Sequence, residues 1–78
     1  MDFSNFKSYQ DIHGYRVYYE VYEDVKEGIQ YLLFSCETSE ATVFFEQARL
    51  QGKADFQDEW KRNFTLVYER GYHYLIKR

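Results

Sequence analysis

The sequence predicts an α+β fold, a four-stranded antiparallel sheet with the helical segment packed on one face. Three observations support it. Residues 15–23 alternate tyrosine and valine with charged residues, residues 38–52 place apolar residues at helical spacing, and residues 64–78 contain a hairpin sequence with a central glycine. The expected order of elements is β-β-α-(α)-β-β, and residues 2–13 make the sheet five-stranded if they add a strand.

The first two strands are expected within the N-terminal half of the chain. Residues 15–23 are rich in tyrosine and valine, which favour strands. The apolar run at residues 29–36 is expected to form the second strand, and residues 24–28 have the length and polarity of a hairpin loop. These segments therefore predict an antiparallel pair.

The most regular helical pattern follows the second strand. Ser39 is the expected N-cap, and Glu40 places negative charge at the positive end of the helix dipole. Gly52 is expected to end the helix in a left-handed conformation. One apolar stripe is formed by Ala41, Phe44, Phe45 and Ala48. This stripe is expected to pack on the sheet.

Two segments are harder to assign. Residues 55–63 predict a second, shorter helix with Asp55 as its N-cap. Residues 2–13 have aromatic residues at near-helical spacing, whereas His13 and Gly14 would turn an added strand into the strand at 15–23. For residues 2–13 we favour a strand or an irregular segment.

The C-terminal segment carries the strongest hairpin signal. Glu69, Arg70 and Gly71 fit a three-residue loop with the glycine in a left-handed conformation. That loop predicts pairing of Tyr68 with Tyr72, and therefore of Leu66 with Tyr74, Phe64 with Ile76 and Val67 with His73.

Alternation along the first strand predicts two aromatic faces. The core face would carry Tyr15, Val17, Tyr19 and Val21. The helices cover only this face, so the opposite one needs another cover. The alternatives are the N-terminal residues Phe3, Phe6 and Tyr9, a second copy of the chain, or another protein. The candidate binding residues on the opposite face are Arg16, Tyr18, Glu20, Tyr22, Leu32 and Phe34.

Length and cysteine content bound the class of protein. A chain of 78 residues suffices for one domain, residues 1–78, with one hydrophobic core. The single cysteine, Cys36, cannot form an internal disulfide, which is typical of a reducing compartment. The N-terminus lacks the basic and apolar regions of a secretory signal. We therefore expect a cytoplasmic protein.

Charge and hydropathy argue against two kinds of partner. Ten basic and 13 acidic residues give a formal net charge of −3, which would repel phosphates unless the basic residues cluster. No apolar run approaches the roughly 18 residues of a membrane-spanning helix, and no basic amphipathic segment predicts attachment to a membrane surface. We expect no membrane partner and consider nucleic acid the less favoured one.

No motif predicts catalysis, a metal or a cofactor. His13 and His73 are the side chains that titrate near neutral pH, and neither lies in a catalytic motif. The two histidines and Cys36 lack the spacing of metal ligands, and the isolated glycines form no phosphate-binding loop. We therefore expect a protein that is not an enzyme and that binds neither metal nor cofactor.

The sequence predicts a small non-catalytic binding module that makes protein–protein contacts through the aromatic face. A regulator or an inhibitor would suit this description, and a homodimer is one form that the contact would take. The alternative is a single-stranded nucleic-acid binder in which Tyr18 and Tyr22 stack on bases. A third hypothesis is an enzyme with an unrecognised His/Cys site.

Overall fold

The computed structural model describes residues 3–20 and 25–78, and its fold is α+β, as predicted. A five-stranded sheet carries its helices on one face, and the N-terminal segment supplies the fifth strand. The strands are β1 (Ser8–Ile12), β2 (Tyr15–Tyr19), β3 (Lys53–Gln57), β4 (Asn63–Glu69) and β5 (Tyr72–Lys77). The helical elements are α1 (Lys26–Gln30), a π-helical turn (Tyr31–Ser35) and α2 (Thr38–Gln51).

The sheet is mixed, with the strand order β1-β2-β5-β4-β3. Neighbouring strands are antiparallel except β2 and β5, which are parallel, with Val17 opposite His73 and Tyr18 opposite Tyr74. The expectation of a fully antiparallel sheet is therefore wrong at this central pair. The chain between β2 and β5 is long and contains the helices, and a parallel pair requires such a crossover connection.

The two hairpins have the same kind of turn. His13 and Gly14 have φ angles of 49° and 89°, and Arg70 and Gly71 have φ angles of 55° and 88°. Positive φ at both central residues defines a type I′ turn, whose twist matches that of the flanking strands. The predicted turn at His13-Gly14 and the left-handed conformation of Gly71 are confirmed.

The second hairpin has a shorter loop than predicted. Only two residues connect β4 to β5, so Glu69 pairs with Tyr72 and Tyr68 pairs with His73. The predicted three-residue loop, with Tyr68 opposite Tyr72, is wrong, and the other predicted pairs shift by the same one residue. Because side chains alternate along a strand, this shift puts Tyr68 and Tyr72 on opposite faces of the sheet.

Residues 29–35 are helical, so the predicted second strand at residues 29–36 and its hairpin with residues 15–23 are wrong. Their side chains still enter the core: Ile29 is 8% exposed, and Leu32 is fully buried. A short apolar run cannot be assigned to strand or helix from its periodicity alone. Gly28 brings α1 close to the sheet, because a Cβ atom there would lie 2.8 Å from the ring of Phe64.

Helix α2 confirms the predicted helix, with one correction at its start. Glu37, rather than Ser39, is the N-cap, and its backbone N–H donates to the Glu40 carboxylate at 3.1 Å. Gly52 ends the helix in the left-handed conformation, with φ of 91°. Three residues of the predicted stripe are fully buried, namely Ala41, Phe45 and Ala48, whereas Phe44 is half-buried.

The predicted short helix at residues 55–63 is wrong, since this segment contains the end of β3, a loop and the start of β4. Asp55 is not an N-cap; its carboxylate accepts a hydrogen bond of 2.6 Å from the Thr65 hydroxyl on the neighbouring strand. In the loop, the buried Asp58 carboxylate accepts from the backbone N–H groups of Trp60 and Arg62 at 3.0 and 2.8 Å. The strand forms because β4 offers it a hydrogen-bonding partner.

The helices pack on what we call the inner face of the sheet. Tyr15 stacks on Phe45 of α2 with ring centroids 4.2 Å apart, and the buried His73 meets the edge of the same Phe45 ring. The core here also contains Ile12, Val17, Val25, Ile29, Leu32, Cys36, Ala54, Phe56, Phe64, Leu66 and Leu75. The predicted core positions Tyr15, Val17 and Tyr19 are confirmed, and Val21 lies outside the described residues.

Candidate binding surface on the outer face of the sheet

The opposite face, which we call the outer face, carries a group of aromatic side chains. Strands β1, β2 and β5 each contribute tyrosines to it by alternation, and the segment before β1 contributes two phenylalanines. We define the outer aromatic cluster as Phe3, Phe6, Tyr9, Tyr18, Tyr72 and Tyr74. Ring contacts connect all six members.

The N-terminal segment covers one end of the cluster. Phe3 stacks on Tyr74 with ring centroids 4.0 Å apart and an interplanar angle of 11°. Phe6 packs edge-on against both of these rings and is only 7% exposed. The sequence left open whether the N-terminal aromatic residues fold back over this face. They do so at Tyr74.

The other end of the cluster is open to solvent. Tyr9 is 50% exposed and Tyr72 is 52% exposed. Tyr18 lies between them, with its ring centroid 5.8 Å from that of Tyr9 and 5.6 Å from that of Tyr72. A groove of about 110 Å³ runs along the cluster, lined by Phe3, Phe6, Tyr18, Tyr72 and Tyr74.

Charged side chains of both signs border these rings. Arg16 pairs with Asp11 at 3.3 Å, and its guanidinium lies 4.2 Å from the centre of the Tyr9 ring. Hydrogen bonds with Tyr18 and Asp11 raise the pKa of Arg16 above its usual range. Glu69 is exposed opposite Tyr72 and forms no ion pair with any described residue. The border therefore presents the Asp11–Arg16 pair on one side and the exposed, oppositely charged Glu69 and Arg70 on the other.

The structure brings together only some of the residues proposed from the sequence. Arg16 and Tyr18 lie side by side on the outer face, and Glu20 follows the end of β2 and is half-buried. Tyr22 lies outside the described residues. The two residues from the incorrectly predicted second strand are elsewhere.

Those two residues are Leu32 and Phe34 of the π-helical turn. Leu32 is fully buried in the core, so it does not belong to the outer face. Phe34 is 80% exposed and borders a separate groove of about 350 Å³ together with Tyr19, Ile29 and Leu33. Both residues were misplaced for the same reason. The segment is helical and packs on the inner side, so strand alternation does not predict which face its side chains occupy.

The candidate residues from the sequence did not include Tyr72 and Tyr74, which line the groove. The three-residue loop would have placed both on the face of Tyr68, which packs on the inner core. The signal that identifies the correct face is the Arg70-Gly71 dipeptide read as a two-residue loop, because that loop sets the register.

The histidines and the cysteine serve packing and structure. His73 is buried, its Nε2 donates to the Phe45 carbonyl at 3.4 Å, and burial lowers its pKa despite that hydrogen bond. Burial raises the pKa of the Cys36 thiol, so the thiol stays protonated near neutral pH. His13 Nε2 donates to the Leu32 carbonyl at 2.9 Å, and its Nδ1 lies 3.1 Å from the Thr38 hydroxyl. His13 thereby connects the first hairpin to the start of α2.

Within residues 3–20 and 25–78, no group of three or more His, Cys, Asp and Glu side chains is placed to hold a metal ion. In the same ranges, no helix combines the length and apolar character needed to cross a bilayer.

The fold and this surface define the chain as a small α+β protein with an aromatic face on the side of its sheet opposite the helices. No protein-family model matches the chain. No curated protein and no solved structure is significantly similar to it. Its function must therefore be inferred from the surface itself.

Proposed function

We propose that this protein is a non-catalytic binding module that contacts another protein through the outer aromatic cluster. The observation that carries the proposal is the gathering of six aromatic side chains on the sheet face opposite the helices, with Tyr9 and Tyr72 half exposed. Tyrosine is enriched at protein interfaces because it offers a large apolar area, a polar hydroxyl and few rotatable bonds. The expected cytoplasmic location stays a prediction.

The distribution of charge favours a protein partner over nucleic acid. The border of the cluster carries Asp11 and Glu69 as well as Arg16 and Arg70, and Arg16 is already paired with Asp11. A surface that binds single strands by stacking also needs basic residues along the path of the phosphates. The formal net charge of −3 opposes such binding. Arg16 above the Tyr9 ring is the feature that keeps single-stranded nucleic acid as the second candidate.

The first experiment compares three immobilised forms of the protein in extracts of the cells in which it is native. One form is the wild type, one carries Tyr18→Ala with Tyr72→Ala, and the control carries Val43→Ala with Leu50→Ala on the exposed side of α2. We expect the wild type and the control to retain the same partner and the cluster variant to lose it. Quantitative mass spectrometry of the retained proteins measures this difference.

The second experiment uses the purified partner. Calorimetry should show that the cluster variant weakens binding by about tenfold or more, since interface tyrosines carry a large share of binding energy. Affinity for a protein should change little between low and physiological salt, whereas affinity for a nucleic acid should fall steeply. Equal binding by all three forms would contradict the proposal, and a steep salt response would favour nucleic acid instead. Light scattering of the wild type alone tests the homodimer.

A further inference from the structure

The groove of the outer aromatic cluster has an unusual lining. All five side chains that border its volume of about 110 Å³ are aromatic, namely Phe3, Phe6, Tyr18, Tyr72 and Tyr74. Grooves that receive amphipathic helices are hydrophobic and provide successive anchor sites for residues one turn apart. Aromatic-lined grooves are instead typical of the recognition of proline-rich segments in the polyproline II conformation.

The rings form walls at defined angles. Tyr18 and Tyr72 are nearly perpendicular, at 82°, with centroids 5.6 Å apart, and Tyr18 and Tyr74 are tilted by 36° at 5.9 Å. A flat, rigid pyrrolidine ring can pack against such walls. Tyr18 and Tyr74 lie opposite each other on adjacent central strands, so the backbone holds them in place before a ligand arrives. Preorganisation of this kind lowers the entropy cost of binding.

The polar atoms of the groove suit the same ligand. A polyproline II segment has no internal hydrogen bonds, and its proline residues offer carbonyl acceptors but no N–H donors. Tyr18, Tyr72 and Tyr74 line the groove, and each carries a phenolic hydroxyl group that can donate a hydrogen bond. Burial raises the pKa of Tyr74, so its hydroxyl remains a donor across the physiological range.

Charge at the border adds a preference for the flanking residues. Glu69 is exposed opposite Tyr72, beside Arg70 of the turn, and forms no ion pair with a described residue, whereas Asp11 at the other side is paired with Arg16. A basic residue next to the proline run would therefore pair with Glu69.

The composition of the chain identifies the source of the ligand. These 78 residues contain no proline, so the same domain in a second copy does not supply a proline-rich segment. We infer that the outer aromatic groove binds a proline-rich segment of another protein in the polyproline II conformation, with a basic residue beside Glu69. This inference rests on the proposed function and names its partner class.

The test titrates the isotope-labelled protein with synthetic peptides and follows amide chemical shifts by NMR. The probe is decaproline with a terminal arginine, and the matched control is a glycine-serine peptide of the same length with the same arginine. We expect saturable shifts at residues of β2 and β5 with the proline probe and none with the control. Short oligothymidylate serves as the nucleic-acid probe.

Three variants locate the site. Tyr72→Ala should weaken binding of the proline probe by about tenfold, because the variant removes one of the aromatic side chains that line the groove. Glu69→Gln should weaken binding of the arginine-bearing probe by a few fold. It should leave the binding of decaproline without arginine unchanged. Glu59→Gln, an exposed acidic position in the β3–β4 loop, should change neither. A melting curve of each variant shows that the fold is intact.

Binding of the glycine-serine peptide as tightly as the proline probe would overturn the inference, as would shifts confined to α2. Binding of oligothymidylate alone, or a dimer that buries the cluster, would also overturn it. If the proline probe fails while the variant with Tyr18→Ala and Tyr72→Ala still loses its natural partner, only this inference falls. If neither the probe nor the variant has an effect, the proposed function falls as well.

Discussion

The two faces of the sheet are built from the same central strands and have different environments. On the inner face, Val17 of β2 and Leu75 of β5 are fully buried beneath the helices. On the outer face, Tyr18 and Tyr72 of the same strands meet each other at the border of an open groove, and Tyr72 is half exposed. Alternation along a strand therefore gives both faces aromatic or apolar side chains, while the helices cover only one.

This difference separates stability from binding. Burial of an apolar side chain contributes roughly 25 cal/mol per Å² removed from water, so fully covered inner rings contribute most to folding. A half-exposed ring such as Tyr72 contributes less to folding and still has area to bury against a partner. The same residue type therefore stabilises the fold on one face and is available for recognition on the other.

The strongest test of the comparison removes one ring from each face. Phe45→Ala should lower the free energy of unfolding by about 3–5 kcal/mol, because Phe45 is fully buried and contacts Tyr15 and His73. Tyr72→Ala should cost only about 0.5–1.5 kcal/mol. Urea denaturation followed by circular dichroism measures both.

A domain of this size has a total stability of about 4–12 kcal/mol, so the Phe45→Ala protein can fail to fold. Phe45→Leu, which keeps most of the volume, then provides a milder comparison with Tyr72→Leu. Equal losses of unfolding free energy at Phe45 and Tyr72 would mean that the inner ring contributes no more to stability than the outer one.

A second test adds a methyl group to the inner face. Gly28→Ala places a Cβ atom 2.8 Å from the Phe64 ring, and overpacking of this kind costs about 1–3 kcal/mol. The higher helix propensity of alanine offsets about 0.5–1 kcal/mol of that cost. Thermal melting should show net destabilisation, and the additional change Phe64→Leu should recover part of it. A stabilised Gly28→Ala protein would show that α1 does not approach the sheet so closely.

A third test uses the titration of His73 on the inner face. Burial lowers its pKa in the folded protein below the ordinary 6.5, so the unfolded chain binds the proton more readily. Stability from this group is therefore fully present above about pH 6.5 and is lost as the pH falls toward the lower folded pKa. Urea midpoints between pH 7.5 and about 5 should decrease for the wild type and decrease less for His73→Phe.

Three carboxylates titrate below this window. Arg49 lowers the pKa of Glu46, and the Thr65 hydroxyl, together with Arg78, lowers that of Asp55. Burial raises the pKa of Asp58, but hydrogen bonds from Arg62 and Trp60 outweigh it and the net shift is downward. All three stay ionised in the folded protein through the range used for His73. If the urea midpoints of the wild type and of His73→Phe decrease equally between pH 7.5 and about 5, the lowered pKa of His73 in the folded protein is contradicted.

The smallest expected effect concerns the turn that assigns Tyr72 and Tyr74 to the outer face. Arg70 has a φ of 55° in the type I′ turn, a conformation that asparagine adopts more easily. Arg70→Asn should raise stability by about 0.5–1 kcal/mol, and Arg70→Val should lower it. Differential scanning calorimetry resolves this change. No difference between the two variants would favour the three-residue loop and would return Tyr72 to the face of Tyr68.

Local patterns were sufficient for several elements. The stripe of Ala41, Phe45 and Ala48 predicted α2, because helical periodicity and a glycine at the C-terminus are local signals. Alternation along β2 correctly separated Tyr15 and Val17 from Arg16 and Tyr18 for the same reason.

Elements that depend on distant partners were assigned incorrectly. The run at residues 29–36 contains enough apolar residues for a buried strand, and only its packing against the inner face makes it helical. Residues 53–57 form a strand because β4 is present to pair with them, although Asp55 and Phe56 also fit the start of a helix. The candidate site changed accordingly, losing Leu32 and Phe34 and gaining Tyr72 and Tyr74.

The sequence by itself determined the α+β class, the position of α2, the glycine turns and the presence of two aromatic faces, since each depends on neighbouring residues along the chain. Only the tertiary structure decided that β2 and β5 lie side by side, that Phe3 and Phe6 cover Tyr74, and that Tyr9 and Tyr72 stay open to solvent. These facts depend on contacts between residues far apart in the chain, whose closure cost and packing no local pattern records.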